Sequence, residues 1–102
     1  MRTVKTSLTF YEDLEMLLGQ GLPRYGKRVL DQKRILIFRA IEDHILFFPV
    51  RPVDPILGVC AYPVSKTPFV LLYDYDDIEL RVHLIIHGSA DRSKIDLKSV
   101  VW

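Results

Sequence analysis

Residues 78–87 alternate apolar and polar side chains with a period of two, which is typical of a β-strand buried on one side. Because successive side chains of a strand point to opposite faces, the alternation predicts one apolar face that two helices cover. The second face is then open to solvent or to a ligand. The apolar face carries Ile78, Leu80, Val82, Leu84 and Ile86, and the second face carries Glu79, Arg81, His83, Ile85 and His87.

Three other segments have the β-branched and aromatic residues that favour strands. Residues 2–6 are short and predict an edge strand, while residues 58–64 and 67–75 predict two further strands. Pro63 cannot donate a hydrogen bond within a sheet, so we expect it at an edge or at a bulge. The acidic pair at positions 76 and 77 predicts a hairpin turn between the last two strands.

The N-terminal part of the chain repeats its apolar positions with a helical period. The first predicted helix begins after Ser7 or Thr9, either of which can cap it. It ends at Gly19 and Gly21, because glycine favours the left-handed conformation of a C-cap. The second helix is predicted over residues 23–46 and has a proline in its first turn. The buried stripe of the first helix comprises Phe10, Leu14, Leu17 and Leu18.

Three residues break the pattern of the second predicted helix. Lys33 falls in its apolar sector, whereas Ile35 and Phe38 fall on its polar side. Two interpretations of Ile35 and Phe38 are open: the first helix covers them, or they form an exposed docking stripe for a partner protein.

The order of these elements predicts the fold class. An N-terminal edge strand, a two-helix layer and an antiparallel three-stranded meander form an α+β fold, β-α-α-β-β-β, in which the helices pack on one face of the sheet. Prolines at 49, 52 and 55 predict a stiff connecting loop over residues 49–57. With 102 residues and no repeat or linker, the chain 1–102 is predicted to be a single domain.

Composition and charge narrow the class of protein. Apolar residues make up 49% and charged residues 26% of the chain, which suits a folded core, and no apolar run approaches the ~20 residues of a membrane-spanning helix. The formal charge of +1 is small for a protein that neutralises many phosphates. Because no signal peptide is visible and Cys60 is the one cysteine, we expect a cytoplasmic protein with Cys60 in its core. The histidines and Cys60 lack metal-ligand spacing, so neither a metal nor another cofactor is expected.

Two segments carry a resemblance to a known family. Residues 67–73, TPFVLLY, are similar to a "T-P-Y-ϕ-ϕ-x-Y" strand, and residues 84–92, LIIHGSADR, are similar to a closing "ϕ-H-G-x-R-D" pattern, where ϕ is apolar. Together with the FxxDLxxLL helix at 10–18, they make the chain resemble the RelE/ParE superfamily, the toxins of type II toxin–antitoxin operons. The chain departs from the ParE-like pattern at Cys60, where many members have arginine. It also inverts the Arg-Asp pair, here Asp91 and Arg92.

The resemblance implies a toxin that a cognate antitoxin neutralises within a hetero-oligomer. The ParE-like side, which the His87-Gly88 segment and the low net charge favour, implies growth inhibition by binding an essential target such as DNA gyrase. The RelE-like side implies a metal-independent endoribonuclease that cleaves mRNA on the ribosome. A non-toxic member that acts only as a complex partner is the third alternative.

Candidate site residues follow from these alternatives. For a nuclease, Arg81, His83 and His87 share one face of a strand and supply the catalytic groups. The Cα atoms of His83 and His87 are about 13 Å apart in a strand, however, so the two side chains are too far apart to act as a pair on one phosphate. The alternative is that Arg81 pairs with Glu79 or Asp74 across the hairpin. The candidate target-binding residues are Lys66, Arg92 and Trp102, and the candidate antitoxin-binding residues are Ile35 and Phe38. Trp102 has a second interpretation, as a residue that packs on the sheet edge.

Overall fold

The computed structural model describes residues 2–102, in which a short strand and a long helix precede three further strands. The elements are, in order, β1 (Thr3–Thr6), α1 (Leu8–Arg39), a π-helical turn (Ala40–Ile45), β2 (Cys60–Pro63), β3 (Phe69–Tyr75) and β4 (Glu79–His87), then two 3-10 turns at Arg92–Lys94 and Leu97–Ser99. The four predicted strands are confirmed, and each lies within its predicted range.

The four strands form one sheet in the order β1-β4-β3-β2. β1 runs parallel to β4, whereas β3 is antiparallel to both of its neighbours. Because β2 lies at an edge, the missing N–H of Pro63 is tolerated there, as predicted. In the turn before β4, the Asp76 carboxylate accepts hydrogen bonds from the N–H groups of Ile78 and Glu79, both at 2.8 Å, which builds the predicted hairpin. A helix on a mixed sheet confirms the α+β class.

The long helix α1 is interrupted once, at Gly26, so the predicted boundary at Gly19 and Gly21 is wrong. Ser7 caps α1, because its hydroxyl accepts a hydrogen bond from the Phe10 N–H at 2.8 Å. Both predicted breakers lie in regular helix, and the backbone leaves helical dihedral angles only at Gly26, with φ 78° and ψ 164°. This region of φ and ψ is essentially restricted to glycine, which fixes the interruption at position 26.

The interruption lets the two halves of α1 pack side by side over one face of the sheet. Glu15 in the N-terminal half forms an ion pair with Arg34 in the C-terminal half, and the rings of Phe10 and Phe38 meet with centroids 6.2 Å apart. Among residues 2–102, no helix is both long and apolar enough to cross a membrane. The core under α1 includes Phe10, Leu14, Leu18, Leu30, Ile37, Leu71, Tyr73, Leu80, Val82 and Ile85.

A β-bulge at His83 changes the face on which the second half of β4 presents its side chains. Leu84 pairs with Leu72, but Val82 pairs with Tyr73, so His83 is the extra residue. The predicted strict alternation is therefore wrong beyond Val82, because one unpaired residue exchanges the two faces. Leu80, Val82 and Ile85 consequently pack toward α1, whereas Leu84 and Ile86 pack on the opposite face.

The second face of the sheet is covered, contrary to the prediction that it is open. Residues 88–102 and the loop before β2 pack their apolar side chains on it, so both faces of the sheet are buried in its central part. Ile78, which the alternation places on the buried face, precedes β4 and is 75% exposed. This second cluster comprises Val59, Val70, Leu72, Leu84 and Ile86, with Leu57, Ala61, Ala90, Ile95, Leu97 and Val100 packed against it.

The proline-rich loop is anchored to the core. Residues 49–57 contain no helix or extended strand apart from one isolated bridge between Val53 and Cys60, as predicted for a connecting loop. The Tyr73 hydroxyl donates a hydrogen bond to the Pro49 carbonyl at 2.7 Å, and burial raises the pKa of Tyr73. Cys60 is buried, as predicted, so the loop joins the sheet beside a closed apolar core.

Candidate functional site

Four side chains meet on the face of β4 that is turned away from α1; we call them the β4 cluster. It comprises Asp74, Arg81, His83 and Trp102. Asp74 of β3 pairs with Arg81 of β4 in the sheet register. Trp102 comes from the end of the chain, and its ring lies edge-on to the His83 ring with centroids 4.9 Å apart. The structure thus brings together three of the predicted site residues.

Three carboxylates surround Arg81. Its Nε donates to Asp74 Oδ1 at 2.7 Å, and its Nη1 donates to Asp76 Oδ2 at 2.9 Å and to Glu79 Oε1 at 3.3 Å. Hydrogen bonds from Arg81 are the main cause that lowers the pKa of Asp76 to about 2, and the carboxylates raise the pKa of Arg81. The predicted pairing of Arg81 with Glu79 or Asp74 is confirmed for both. Asp76, which the sequence placed only in a turn, is the third partner, so the positive charge is compensated.

The imidazole of His83 is enclosed. Its Nε2 lies 3.2 Å from Asp74 Oδ1, but outside hydrogen-bond geometry. Neither ring nitrogen is exposed to solvent or has a hydrogen-bond partner within residues 2–102. On the outside lies Trp102, and the Lys5 ammonium is 5.4 Å from the centre of the Trp102 ring. A general acid or base must reach the proton that it transfers, and this ring is closed to a substrate.

Hydrogen bonds around the start of α1 hold the β4 cluster in place. Ser7 Oγ donates a hydrogen bond at 2.5 Å to the carbonyl of His83, the bulged residue. The Thr9 N–H donates to the Val101 carbonyl at 3.2 Å, and the Val101 N–H donates to Thr9 Oγ1 at 2.8 Å. These bonds fix the end of the chain against α1 and place Trp102 next to His83.

His87 lies on the opposite face of β4 from Arg81 and His83, so the predicted set of three catalytic residues is not assembled. Its ring meets the Phe69 ring edge-on, with centroids 6.3 Å apart, on the side that α1 covers. The prediction of a shared face is wrong because the bulge at His83 exchanges the faces of the residues that follow it.

Arg92 joins two loops. Its guanidinium donates to the carbonyl of Ala90 at 2.9 Å and lies 3.4 Å from Asp54 Oδ2. The pKa of Asp54 is lowered, first by a hydrogen bond from the Leu57 N–H and then by one from the Ile56 N–H. Arg92 therefore links the proline-rich loop to the C-terminal segment. Trp102, which was also predicted to bind the target, lies elsewhere, in the β4 cluster.

Ile35 and Lys66 line one groove beside α1, which we call the α1 groove. Its volume is about 340 Å³. Ile35 is 51% exposed, whereas Phe38 packs against the rings of Phe10 and Tyr11. The interpretation that the N-terminal half of α1 covers both residues therefore holds for Phe38 and not for Ile35. The groove is lined by Gln32, Ile35, Leu36, Arg39 and Lys66.

The described residues offer few groups for metal chemistry. Within residues 2–102, no three side chains of His, Cys, Asp or Glu come close enough together to hold a metal ion.

Compared with protein-family models and with curated proteins, the sequence matches none. The function is therefore inferred from the residues and their geometry.

Proposed function

We propose that this chain is the toxin of a type II toxin–antitoxin module, of the ParE-like kind. It stops growth by binding an essential protein such as DNA gyrase, and a cognate antitoxin neutralises it. One observation favours binding over RNA cleavage: the three carboxylates around Arg81, beside an enclosed His83. Cleavage of RNA needs an uncompensated cation and an accessible acid or base at the phosphate. A surface that binds a protein needs neither.

The contact between the two ParE-like segments supports this proposal. Phe69 of TPFVLLY pairs with His87 of LIIHGSADR, and the Gly88 N–H donates to the Pro68 carbonyl at 2.8 Å. A Cβ at position 88 would lie 3.3 Å from that carbonyl oxygen, so a side chain there would crowd the backbone of the neighbouring strand. The two segments with ParE-like patterns thus form one structural unit. This contact favours a common origin of the two patterns over two separate chance matches.

The α1 groove supports the antitoxin part of the proposal. Ile35 is an exposed apolar anchor, and Arg39 and Lys66 place positive charge beside it. An amphipathic segment that folds on binding would place an apolar side chain in the groove and acidic side chains next to the two cations. We therefore assign the antitoxin to this groove.

The end of the chain is the proposed contact with the target. Val101 is 56% and Trp102 is 44% exposed, although Trp102 also packs on His83. An aromatic ring that is held in one orientation and is still partly exposed is typical of the residues that dominate the binding energy of protein interfaces.

Growth and supercoiling assays test this function. Induced expression of the chain in bacterial cells is expected to stop growth, and co-expression of the small protein encoded beside it is expected to restore growth. The purified chain is expected to inhibit supercoiling by purified gyrase and to leave ribosome-bound mRNA intact. Trp102→Ala is expected to weaken the inhibition of gyrase.

A matched pair of substitutions separates the antitoxin contact from general damage. Ile35 and Ile78 are both more than half exposed, so Ile35→Asp and Ile78→Asp are expected to leave the protein folded. Ile35→Asp should abolish rescue by the antitoxin and keep the growth arrest, while Ile78→Asp should change neither. A folded wild-type chain that does not slow growth contradicts the proposal. Ribosome-dependent mRNA cleavage that Arg81→Ala removes would replace it with the ribonuclease alternative.

A further inference from the structure

A second surface feature lies where the middle of α1 meets one end of the sheet. A cavity of about 370 Å³ opens there between Arg24, Tyr25 and Lys33 of α1 and Phe69 and His87 of the sheet; we call it the basic pocket. Its volume is at the lower end of the range for small-molecule sites, about 300–1,000 Å³. None of the residues that line it within 2–102 is Asp or Glu.

Two cations of the basic pocket lie over one aromatic ring. Lys33 Nζ is 4.6 Å and Arg24 Cζ is 5.3 Å from the centre of the Tyr25 ring. Within residues 2–102, neither cation has a carboxylate oxygen within 4 Å. Neither charge is therefore paired with a carboxylate, in contrast to the charge of Arg81.

The position of Lys33 on the helix supports a role in binding. Lys33 belongs to the apolar sector of the C-terminal half of α1 and is half-buried, beside the buried Leu30. Partly burying a charge costs free energy unless an opposite charge or a hydrogen-bond acceptor compensates for it. The cation–π contact with Tyr25 offsets part of this cost, and an anionic ligand in the pocket would offset the remainder.

His87 adds a third donor. Its Nδ1 accepts a hydrogen bond from the Ser89 N–H at 3.1 Å, so a neutral ring carries its proton on Nε2. The ring therefore offers an N–H donor from the nitrogen turned away from Ser89. With the guanidinium of Arg24 and the ammonium of Lys33, the basic pocket presents donors and no carboxylate acceptor, which is the chemistry that recognises phosphate oxygens.

We infer that the basic pocket binds a small ligand with two adjacent phosphate groups, of the size of pyrophosphate or of a nucleoside diphosphate. Arg24, Lys33 and the Nε2–H of His87, which all line the cavity, donate to the phosphate oxygens. Pro68 and Phe69 form the wall next to the rest of the ligand. This inference does not rest on the proposed toxin function, since the pocket shares no residue with the β4 cluster or the α1 groove.

Isothermal titration calorimetry tests the inference with pyrophosphate and with ADP, at constant ionic strength. Lys33→Gln and Arg24→Gln each remove a charge-assisted hydrogen bond, and each is expected to weaken binding about tenfold or more. Arg28→Gln is the matched control, because Arg28 is an exposed cation of the same helix outside the pocket. Thermal unfolding of the free variants shows whether they are folded, and the exposed Arg24 keeps the test valid if Lys33→Gln is unstable.

Binding of both probes identifies phosphate as the recognised group, and binding of ADP alone identifies a nucleotide. Either result supports the inference if Lys33→Gln or Arg24→Gln weakens the binding and Arg28→Gln leaves it unchanged. Equal weakening by all three substitutions would overturn it, because that result describes a diffuse surface charge. Binding of a single-stranded oligonucleotide without binding of either probe would also overturn it.

Discussion

Replacement of Ser7 by alanine should destabilise the fold because it removes a buried hydroxyl that joins two elements. Ser7 is fully buried, and its hydroxyl makes two hydrogen bonds: it accepts one from the Phe10 N–H and donates one to the His83 carbonyl. Loss of an N-cap of this kind costs about 1 kcal/mol, and a buried acceptor left without its donor costs about 1–3 kcal/mol. Ser7→Ala is therefore expected to lower the free energy of unfolding by about 2–4 kcal/mol.

Urea denaturation followed by far-UV circular dichroism measures this loss, and a thermal scan should show the midpoint falling by at least about 8 °C. Ser93→Ala is the matched control, since the Ser93 hydroxyl donates only to the Asp91 carboxylate on the exposed surface. The control is expected to change the free energy of unfolding by less than about 0.5 kcal/mol. If Ser7→Ala costs no more than Ser93→Ala, the hydroxyl does not join the start of α1 to the bulge of β4.

Two further predictions concern the backbone of α1 and the carboxylates around Arg81. Gly26→Ala should destabilise the protein by about 1–3 kcal/mol, because φ 78° and ψ 164° suit only glycine. Gly19→Ala should instead stabilise it by about 0.5–1 kcal/mol, because Gly19 lies in regular helix and no atom lies within 4 Å of the new Cβ. Urea unfolding that gives both variants the same sign would contradict the placement of the interruption. The pKa of Asp76 is lowered to about 2 from its usual 3.8, so its pairing with Arg81 stabilises the fold fully above the usual value, and this contribution is lost as pH falls through the lowered one. Asp76→Asn should therefore flatten the dependence of unfolding free energy on pH between about 4 and 2, and an unchanged slope in urea titrations would assign the acid sensitivity to other carboxylates.

The strands and the fold class were predictable because their signals are local and repeat along the chain. Alternation and β-branched residues place all four strands, and helical periodicity places α1. The interruption of α1 was not predictable, since three glycines lie within eight residues and composition does not tell which one adopts a positive φ. Gly21 serves packing instead: a Cβ there would lie 3.1 Å from the Leu30 side chain.

The one sign of the bulge at His83 in the sequence is Ile85, an apolar residue that breaks the alternation of residues 78–84 and is buried on the α1 side of the sheet. A tertiary contact stabilises the bulge: the hydroxyl of Ser7 donates to the His83 carbonyl, seventy-six residues away in the chain. Two ion pairs of Arg81 were predictable, since residues of one hairpin lie close together in any register. The cover that Trp102 forms over His83 was not, because it depends on hydrogen bonds between Thr9 and Val101.

The bulge also decides where the chain can bind an anion. In a regular strand, His87 would share a face with Arg81 and His83, and that face would carry three basic groups in a row. With the bulge, carboxylates compensate Arg81, Trp102 covers His83, and His87 moves to the side of α1, where it joins two cations that have no carboxylate partner. One extra residue in β4 therefore separates a cluster in which carboxylates compensate the cation from a basic pocket in which they do not. Because electrostatic attraction for phosphate follows uncompensated charge, phosphate binding is to be sought in the basic pocket, while the β4 cluster and the end of the chain are suited to a protein partner.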